Sequence, residues 1–374
     1  MRLLRLRLSD FRNIEEADLE LGPRATVIVG PNGHGKTNLL EAIYLLATLK
    51  PLRTSRFAEL QRFGAKTTQV EGEFRLGATT RLFGVTIEAG ARQAFVDTKK
   101  VRDLDEYFGG VSVVAFTPDD LALVKGGPEG RRRYLDRAVF NRYPAYLGES
   151  REYARALRAR NRLLREGADD AMIEAFDGPA ARLGARLIVR RRALVEELGP
   201  RFTEVLARLS AGALEGKIGY RSRGVELDQD EASVSERLQE ELVRRMANDR
   251  RRGYTSVGPH VDSLGIQLGG RPARTYASQG QQRAIVLALK IAEIENLRES
   301  HGYQPLLLLD DVSSELDRER NQQLMAYLSQ LDGQVVLTTT EPAALEAAAG
   351  PDARFFEVEQ GRFRLLAGAG PETA

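Results

Sequence analysis

Leu4, Leu6 and Leu8 alternate with arginines at the start of the chain, the pattern of a strand with one buried and one wetted face. Thr26-Val27-Ile28-Val29 is a short apolar strand that runs into a glycine-rich loop. Beyond the loop, Leu39, Leu40, Ile43, Leu46 and Leu49 recur at helical spacing and predict a helix from Thr37 to Lys50, ended by Pro51. Between 68 and 97, Val70/Phe74/Leu76, Phe83/Val85/Ile87 and Phe95 fall on alternate positions around turn signals and predict a small antiparallel sheet. Val111 to Phe116 reads as a further buried strand.

The character changes after Pro118. From Leu121 to Arg252 the pattern is helical and rich in arginine, and a strand pattern returns near Tyr254. Two apolar strands follow, Leu306–Leu309 and Val335–Thr338, then a hairpin over Phe355 to Leu366 and a frayed tail from Gly368. No internal repeat is visible. The simplest organisation is one α/β domain in two parts, residues 1–120 and 255–374, interrupted by a helical arm at 121–254.

Composition narrows the class. In 374 residues, 42% are hydrophobic and 29% charged, which excludes a disordered chain and leaves room for two or three domains. With 55 basic and 53 acidic residues the net charge is +2, so any basic surface must be local. Between Lys125 and Arg201, 18 basic residues face 11 acidic ones, an excess of +7. The absence of cysteine excludes thiolate catalysis and disulfides, and three histidines without an HExxH pair argue against a histidine-rich metal site. The apolar stretch Ala284–Leu289 ends at Lys290, far short of a bilayer span, and the N-terminus reads as a strand and not a signal peptide. A cytoplasmic protein without a membrane partner is expected.

Three segments carry chemistry. Gly30-Pro31-Asn32-Gly33-His34-Gly35-Lys36-Thr37 matches G-x-x-x-x-G-K-[ST] between a strand and a helix, where backbone N–H groups and the helix N-terminus cradle phosphates. Lys36 is placed to reach the β- and γ-phosphates of ATP from an open, solvent-facing position, and Thr37 to ligate Mg²⁺. His34 is expected to be solvent-exposed. Leu306–Leu309 ends in Asp310 and Asp311; beside a phosphate loop, Asp310 is the second Mg²⁺ ligand and Asp311 polarises the attacking water. Ser278-Gln279-Gly280-Gln281 opens an apolar helix over Ala284 to Leu297, a helix start able to bind an anion.

In this order, and followed by Ser313-Ser314-Glu315-Leu316-Asp317, these segments resemble the heads of ABC and SMC-type ATPases. More closely, GPNGHGKTNLLEAI, SQGQQR, LLLLDDVSSELD and Gly258-Pro259-His260 are similar to the RecF family of bacterial recombination-repair ATPases, over essentially the whole chain. The resemblance implies an α/β, ABC/SMC-type P-loop head, a mixed sheet plus an antiparallel β-subdomain, with an inserted helical arm. It implies ATP and Mg²⁺ as cofactors and an ATP-dependent head-to-tail homodimer. There Ser278 would contact the γ-phosphate held by the other subunit, with Gln279 and Gly280 along it and Asp317 communicating across the interface. It further implies weak, DNA-stimulated ATP hydrolysis, action at gaps or single-strand/double-strand junctions, and RecO and RecR proteins as partners in recombinase loading. Thr338-Thr339-Thr340 stand where transporter ATPases carry a histidine, so hydrolysis is expected to be slow. A sensor of Mg²⁺ or water is expected between Gln69 and Asp119, and Arg12 and Asn13 are candidates to pack on adenine. Two positions depart from the family pattern: Val261-Asp262-Ser263 after Gly-Pro-His, and His34 where serine is commoner. The alternative, an ABC-type transporter ATPase subunit, is disfavoured by the missing histidine and the arginine-rich arm.

Arg151, Arg155, Arg158, Arg162 and Arg165 are spaced 4, 3, 4 and 3 apart, within about 80° of one helix face. Taken with the clamp implied above, they are the candidate DNA contacts, with Arg131 to Arg133 as a rival patch.

Overall fold

Strand alternation builds the first layer. β1 (Arg2–Phe11) pairs antiparallel with β2 (Ile14–Glu20) and β4 (Thr67–Leu76). A bulge between Leu3 and Arg5 shifts the register, so Leu3, Leu6 and Leu8 are the buried leucines and Leu4 is only half-buried. The computed structural model describes residues 1–54, 56–102, 107–108, 111–225, 230–311, 333–340, 350 and 352–366. Contacts divide the chain into two units, Met1–Asp120 with Glu293–Ala374, and Leu121–Ala292.

The first unit holds two six-stranded sheets. One, in order β2-β1-β4-β5-β6-β7, adds β5 (Thr79–Glu88), β6 (Ala91–Val96) and β7 (Lys99–Lys100) and is antiparallel throughout. The other runs β15-β14-β3-β13-β12-β8. Its members are β3 (Ala25–Val29), β8 (Val113–Phe116), β12 (Leu306–Leu309), β13 (Val335–Thr339), β14 (Arg354–Glu359) and β15 (Arg362–Leu365). Only β15 is antiparallel to its neighbour, which explains the unbroken apolar runs of β8 and β12.

Helix α1 (Lys36–Thr48) packs on strands of both sheets and is buried nearly all round. It closes at Thr48, two residues before the expected Lys50, because Leu49 turns left-handed (φ 52°) ahead of Pro51. The Tyr107 hydroxyl donates to Leu46 O in its last turn (2.7 Å). Gly72 of β4 makes room for this packing, since a Cβ there would lie 2.7 Å from a Leu46 methyl, which would have to shift. Buried Gln334 links the sheets: its Oε1 accepts from Leu3 N and its Nε2 donates to Leu3 O and Gly22 O.

The second unit contains α2 (Pro128–Arg142), α3 (Tyr146–Glu166), α4 (Asp170–Leu209), α5 (Glu231–Arg252) and the start of α6 (Gln279–His301). Ala181, Ala185 and Ile188 of α4 meet Val234, Leu238 and Leu242 of α5 in its core. The helical reading of 121–252 misses β9 (Gly216–Arg221), whose alternation is masked by arginine richness and flanking glycines. The strand expected near Tyr254 begins at Ser263: β10 (Ser263–Leu268) pairs antiparallel with β9, and β11 (Arg271–Pro272) with β10. That pairing places residues 255–292 with the helices, so contacts divide at 292 and not at 254.

The departure at Asp262 has a structural account. The Asp262 side chain is buried and accepts from Tyr220 Oη (2.7 Å), Ser222 Oγ and Arg223 N (2.9 Å), tying β9 to the start of β10. Next to it, His260 Nε2 donates to Thr255 O (2.8 Å), which leaves Nδ1 to accept from Tyr153 Oη (2.7 Å). Arg191 donates to Pro259 O and Asp136, and Arg160 to Asp177, Asp249 and Thr255. Pro259 and His260 thus join a polar network that reaches Arg191 directly and Arg160 through Thr255.

Candidate functional site

The phosphate loop is held from two sides within the first unit. Gly30 N donates to Thr339 O at the end of β13 (3.3 Å). Gly33 and Gly35 take left-handed φ values of 82° and 116°, conformations open to glycine and costly for other residues. On the far side, Gly361 N donates to His34 O (2.9 Å) and Gln360 N to His34 Nδ1 (3.3 Å), so the β14–β15 turn clamps the loop. His34 is therefore half-buried, against the expectation of free exposure.

Lys36 also departs from its expected open position. It is 5% exposed, and its Nζ donates to Gly30 O (2.6 Å), Pro31 O (3.1 Å) and Asn32 Oδ1 (3.2 Å). Burial lowers its pKa, with Asp311 and Asp310 acting in the opposite direction. The lysine thus fills the loop with its own charge.

Thr37 and Asp310, 273 residues apart, are brought together: the Thr37 hydroxyl lies 2.9 Å from both Asp310 oxygens. Thr338 completes the junction by donating to Asp310 Oδ1 (2.8 Å) and accepting from Asp311 N (2.9 Å). Asp310 is 6% exposed, and burial raises its pKa above the ordinary carboxylate value while the two hydroxyls draw it down. Asp311 has φ 49°, a left-handed turn that ends β12 and that aspartate tolerates better than most residues. Of the Thr338–Thr340 run, Thr338 and Thr339 lie within β13 and Thr340 follows it, and Thr338 orients both acids. Sequence reasoning weighed position 338 only for histidine; the threonine run was the available signal.

Adjoining β12, the β8 strand ends at Phe116, whose carbonyl accepts Asp310 N (2.9 Å). Thr117 N then donates to Asp120 Oδ2 (2.8 Å), placing these two residues at the sheet edge that carries the acids. They are the structural candidates for the sensor expected between Gln69 and Asp119, with Asp120 one residue outside that range.

Arg12 and Asn13 are engaged with α1. Arg12 Nε donates to Glu41 Oε2 (2.9 Å), and Asn13 Oδ1 accepts from Asn38 Nδ2 (2.7 Å). Glu41 is fully buried and also accepts from Arg53 and from the amides of Leu52 and Arg53.

Ser278, Gln279 and Gly280 belong to the second unit. Ser278 N donates to Gln281 Oε1 (2.8 Å) and Gln281 N to Ser278 Oγ (3.3 Å), a reciprocal cap at the start of α6. Asp317 and the Ser313–Leu316 segment lie outside the described residues. Arg151, Arg155, Arg158, Arg162 and Arg165 are all exposed on α3, with Arg162 paired to Glu166 at 2.7 Å. The rival patch is partly structural: Arg131 donates to Ser263 Oγ, and Arg132 to Asp262 O.

A glycine loop leading into a helix sheathed by two sheets, with an acid-ended parallel strand alongside, defines a P-loop head of the ABC and SMC type. Residues 2–362 match the model of the RecF/RecN/SMC N-terminal domain family. The chain belongs to the RecF family: it is 57% identical to the DNA replication and repair protein RecF of Anaeromyxobacter sp. (strain Fw109-5), over 96% of this chain and 98% of that one. Identity to the protein of the same name from Myxococcus xanthus (strain DK1622) is 54%, over the full length of both. Among solved structures, the recombination mediator protein RecF-ATPrS in the RecFOR pathway superposes with a TM-score of 0.89, at 32% identity and 98% coverage of each chain. An SMC head bound to the C-winged helix domain of ScpA shares the fold, at a TM-score of 0.55 and 15% identity over 98% of this chain and 97% of that one. These matches lend no support to the transporter-subunit alternative. Among the described residues no helix is long and apolar enough to cross a membrane.

Proposed function

We propose that the protein is an ATP-driven DNA clamp of repair and recombination, acting in the cytoplasm. ATP binding joins two heads head-to-tail on DNA at gaps or junctions, and slow, DNA-stimulated hydrolysis reopens them. The observation that carries this reading is the Thr37–Asp310–Thr338 junction at the phosphate loop. The similarity to a RecF solved with ATP, in a pathway named for RecF, RecO and RecR, supports ATP as the nucleotide and RecO and RecR proteins as partners in recombinase loading.

Thr37 and Asp310 offer hard oxygen donors, a set suited to Mg²⁺, which takes few protein ligands and fills its shell from phosphate and water. Bound there, Mg²⁺ would neutralise charge on the β- and γ-phosphates. Lys36 exchanges its loop carbonyls for phosphate oxygens. Asp311, held by Thr338, orients the attacking water; without a histidine at 338–340 its pull on that water's proton is weak, hence slow turnover. Ser278 contacts the γ-phosphate held by the other subunit, and the exposed α3 arginines track DNA.

Sedimentation in ATP tests the scheme. Lys36→Met abolishes turnover and leaves a monomer, Asp311→Asn binds ATP and accumulates the dimer, and Ser278→Arg binds ATP but stays monomeric. A monomeric Asp311→Asn together with a dimeric Ser278→Arg would reverse the roles of these residues, and an active Lys36→Met would remove the loop from catalysis.

A further inference from the structure

Most deeply placed arginines of the second unit have an acid beside them: Arg160 has Asp177 and Asp249, Arg191 has Asp136, Arg190 has Glu149. One group does not. Arg131, Arg221 and Arg274 line a cleft of about 230 Å³ between the start of α2, the β9–β10 pair and the helical turn Ala273–Tyr276, and none of its lining residues is acidic. Half-buried Arg131 is fixed by neutral acceptors only: Nε donates to Ser263 Oγ (3.1 Å) and Nη1 to Gly126 O (3.0 Å) and Leu123 O (3.4 Å). Its pKa is drawn down by burial and then by the like charges of Arg274, Arg132 and Arg221. The acid nearest along the chain, Glu129, pairs with Arg133 at 3.7 Å.

The cleft is shaped to keep these charges together. Arg221 lies across the neighbouring strand at Gly265, where any Cβ would collide with its Nε. Gly265 has no left-handed backbone that would demand glycine, so the bare position serves the guanidinium. Among the described residues, neither Arg221 nor Arg274 forms an ion pair. Three guanidiniums converging without a carboxylate repel one another, and an oxyanion that accepts several N–H groups at once relieves that cost.

We propose that the Arg131–Arg221–Arg274 cleft is a phosphate site that seats a backbone phosphate of nucleic acid, separate from the α3 stripe. The surroundings favour a nucleic-acid strand over a free anion. Next to Arg274, the Arg271 guanidinium stacks 5.4 Å from the Tyr276 ring centre, and Tyr276 is 60% exposed. A cation-backed open ring is a platform for a base or sugar and has no use for inorganic phosphate. The inference rests on the DNA-binding reading above, and its test keeps the two apart.

Arginine modification by phenylglyoxal, read residue by residue by mass spectrometry, reports the cleft directly on the full-length protein. A short DNA duplex is expected to protect Arg221 and Arg274 several-fold, and pyrophosphate to protect them less. In salt titrations of duplex binding, Arg221→Ala/Arg274→Ala flattens the log–log slope by about 1.8, and Gly265→Ala, which displaces Arg221 without changing any charge, by about 0.9. Circular dichroism melts confirm that the variants are folded. No protection by DNA and unchanged slopes, in a chain that binds DNA, overturn the proposal; protection by pyrophosphate alone overturns its nucleic-acid occupant. If the intact chain binds no DNA at any salt, the clamp reading falls. Pyrophosphate protection then upholds the anion site alone, and its absence overturns that site too.

Discussion

In the first unit, Glu41 and Asp310 are both buried acids, yet Glu41 is met by two guanidiniums and two amides, whereas the Asp310 carboxylate is met by two threonine hydroxyls. The second unit repeats the contrast with the opposite charge. Arg160 is saturated by two aspartates and a hydroxyl, and Arg131 is fixed by neutral groups beside other arginines. Three of the four are buried and Arg131 is half-buried. What separates them is whether the charge is already answered: a saturated charge fastens elements together, and an unanswered one is ready for a ligand of opposite sign.

Breaking a saturated charge should cost the most. Arg160→Met strands Asp177 and Asp249 in the interior and is expected to destabilise the protein by about 4 kcal/mol in urea unfolding, since a buried pair that loses one partner costs about 3–5 kcal/mol. A loss below about 1 kcal/mol would show that these carboxylates find other partners.

Glu41→Gln is the counterpart in the first unit, expected to cost about 3 kcal/mol at pH 7. Its pH dependence follows from its surroundings. Burial raises the Glu41 pKa, but the hydrogen bonds and charges of Arg12 and Arg53 prevail and hold it below the ordinary value. The stabilisation is therefore present above the unfolded-state value of about 4.3 and lost as pH falls through the lower folded value. Wild type and variant should converge in acid; a gap that stays constant or widens as pH falls would contradict the ion-pair account.

The smallest stability effect sharpens the comparison. Arg155, Arg158 and Arg162 share α3 with Arg160 but point to solvent, so changing all three to alanine should leave the melting temperature unchanged. The slope of log affinity against log salt should flatten by up to about 2.7, with Arg162 contributing least because Glu166 already holds it. ATP-dependent dimerisation should survive. An unchanged slope would remove the stripe from the DNA surface.

Elements whose partners are declared by an unbroken local pattern were legible in the sequence. β3 and β12 stand out as apolar runs ending at a glycine loop and at two acids, and α1 follows from leucine spacing. What escaped depends on contacts remote in sequence. His34 looked exposed because the turn that clamps it lies 326 residues away, and Lys36 looked open because its acceptors are backbone carbonyls, which every residue carries. β9 escaped because only Ile218 and Tyr220 mark its alternation within a basic stretch. Thr338 was noticed for the histidine it is not, whereas its hydroxyl is what joins the two acids.

The placement of β3 also sets the order in which the molecule can be completed during synthesis. β3 ends at Val29, but both of its neighbours, β13 and β14, come from residues 335–359. A chain emerging from the ribosome thus carries an apolar strand without its sheet partners until more than 330 residues have been made, and the whole of Leu121–Ala292 is translated in that interval. Such distant pairing slows folding and leaves a strand edge exposed to misassembly. The nucleotide pocket is therefore among the last parts of the protein to form, since its clamp at Gln360 and Gly361 must also arrive. A ribosome-bound chain stopped before residue 335 would carry the whole loop sequence and still lack the sheet that supports it.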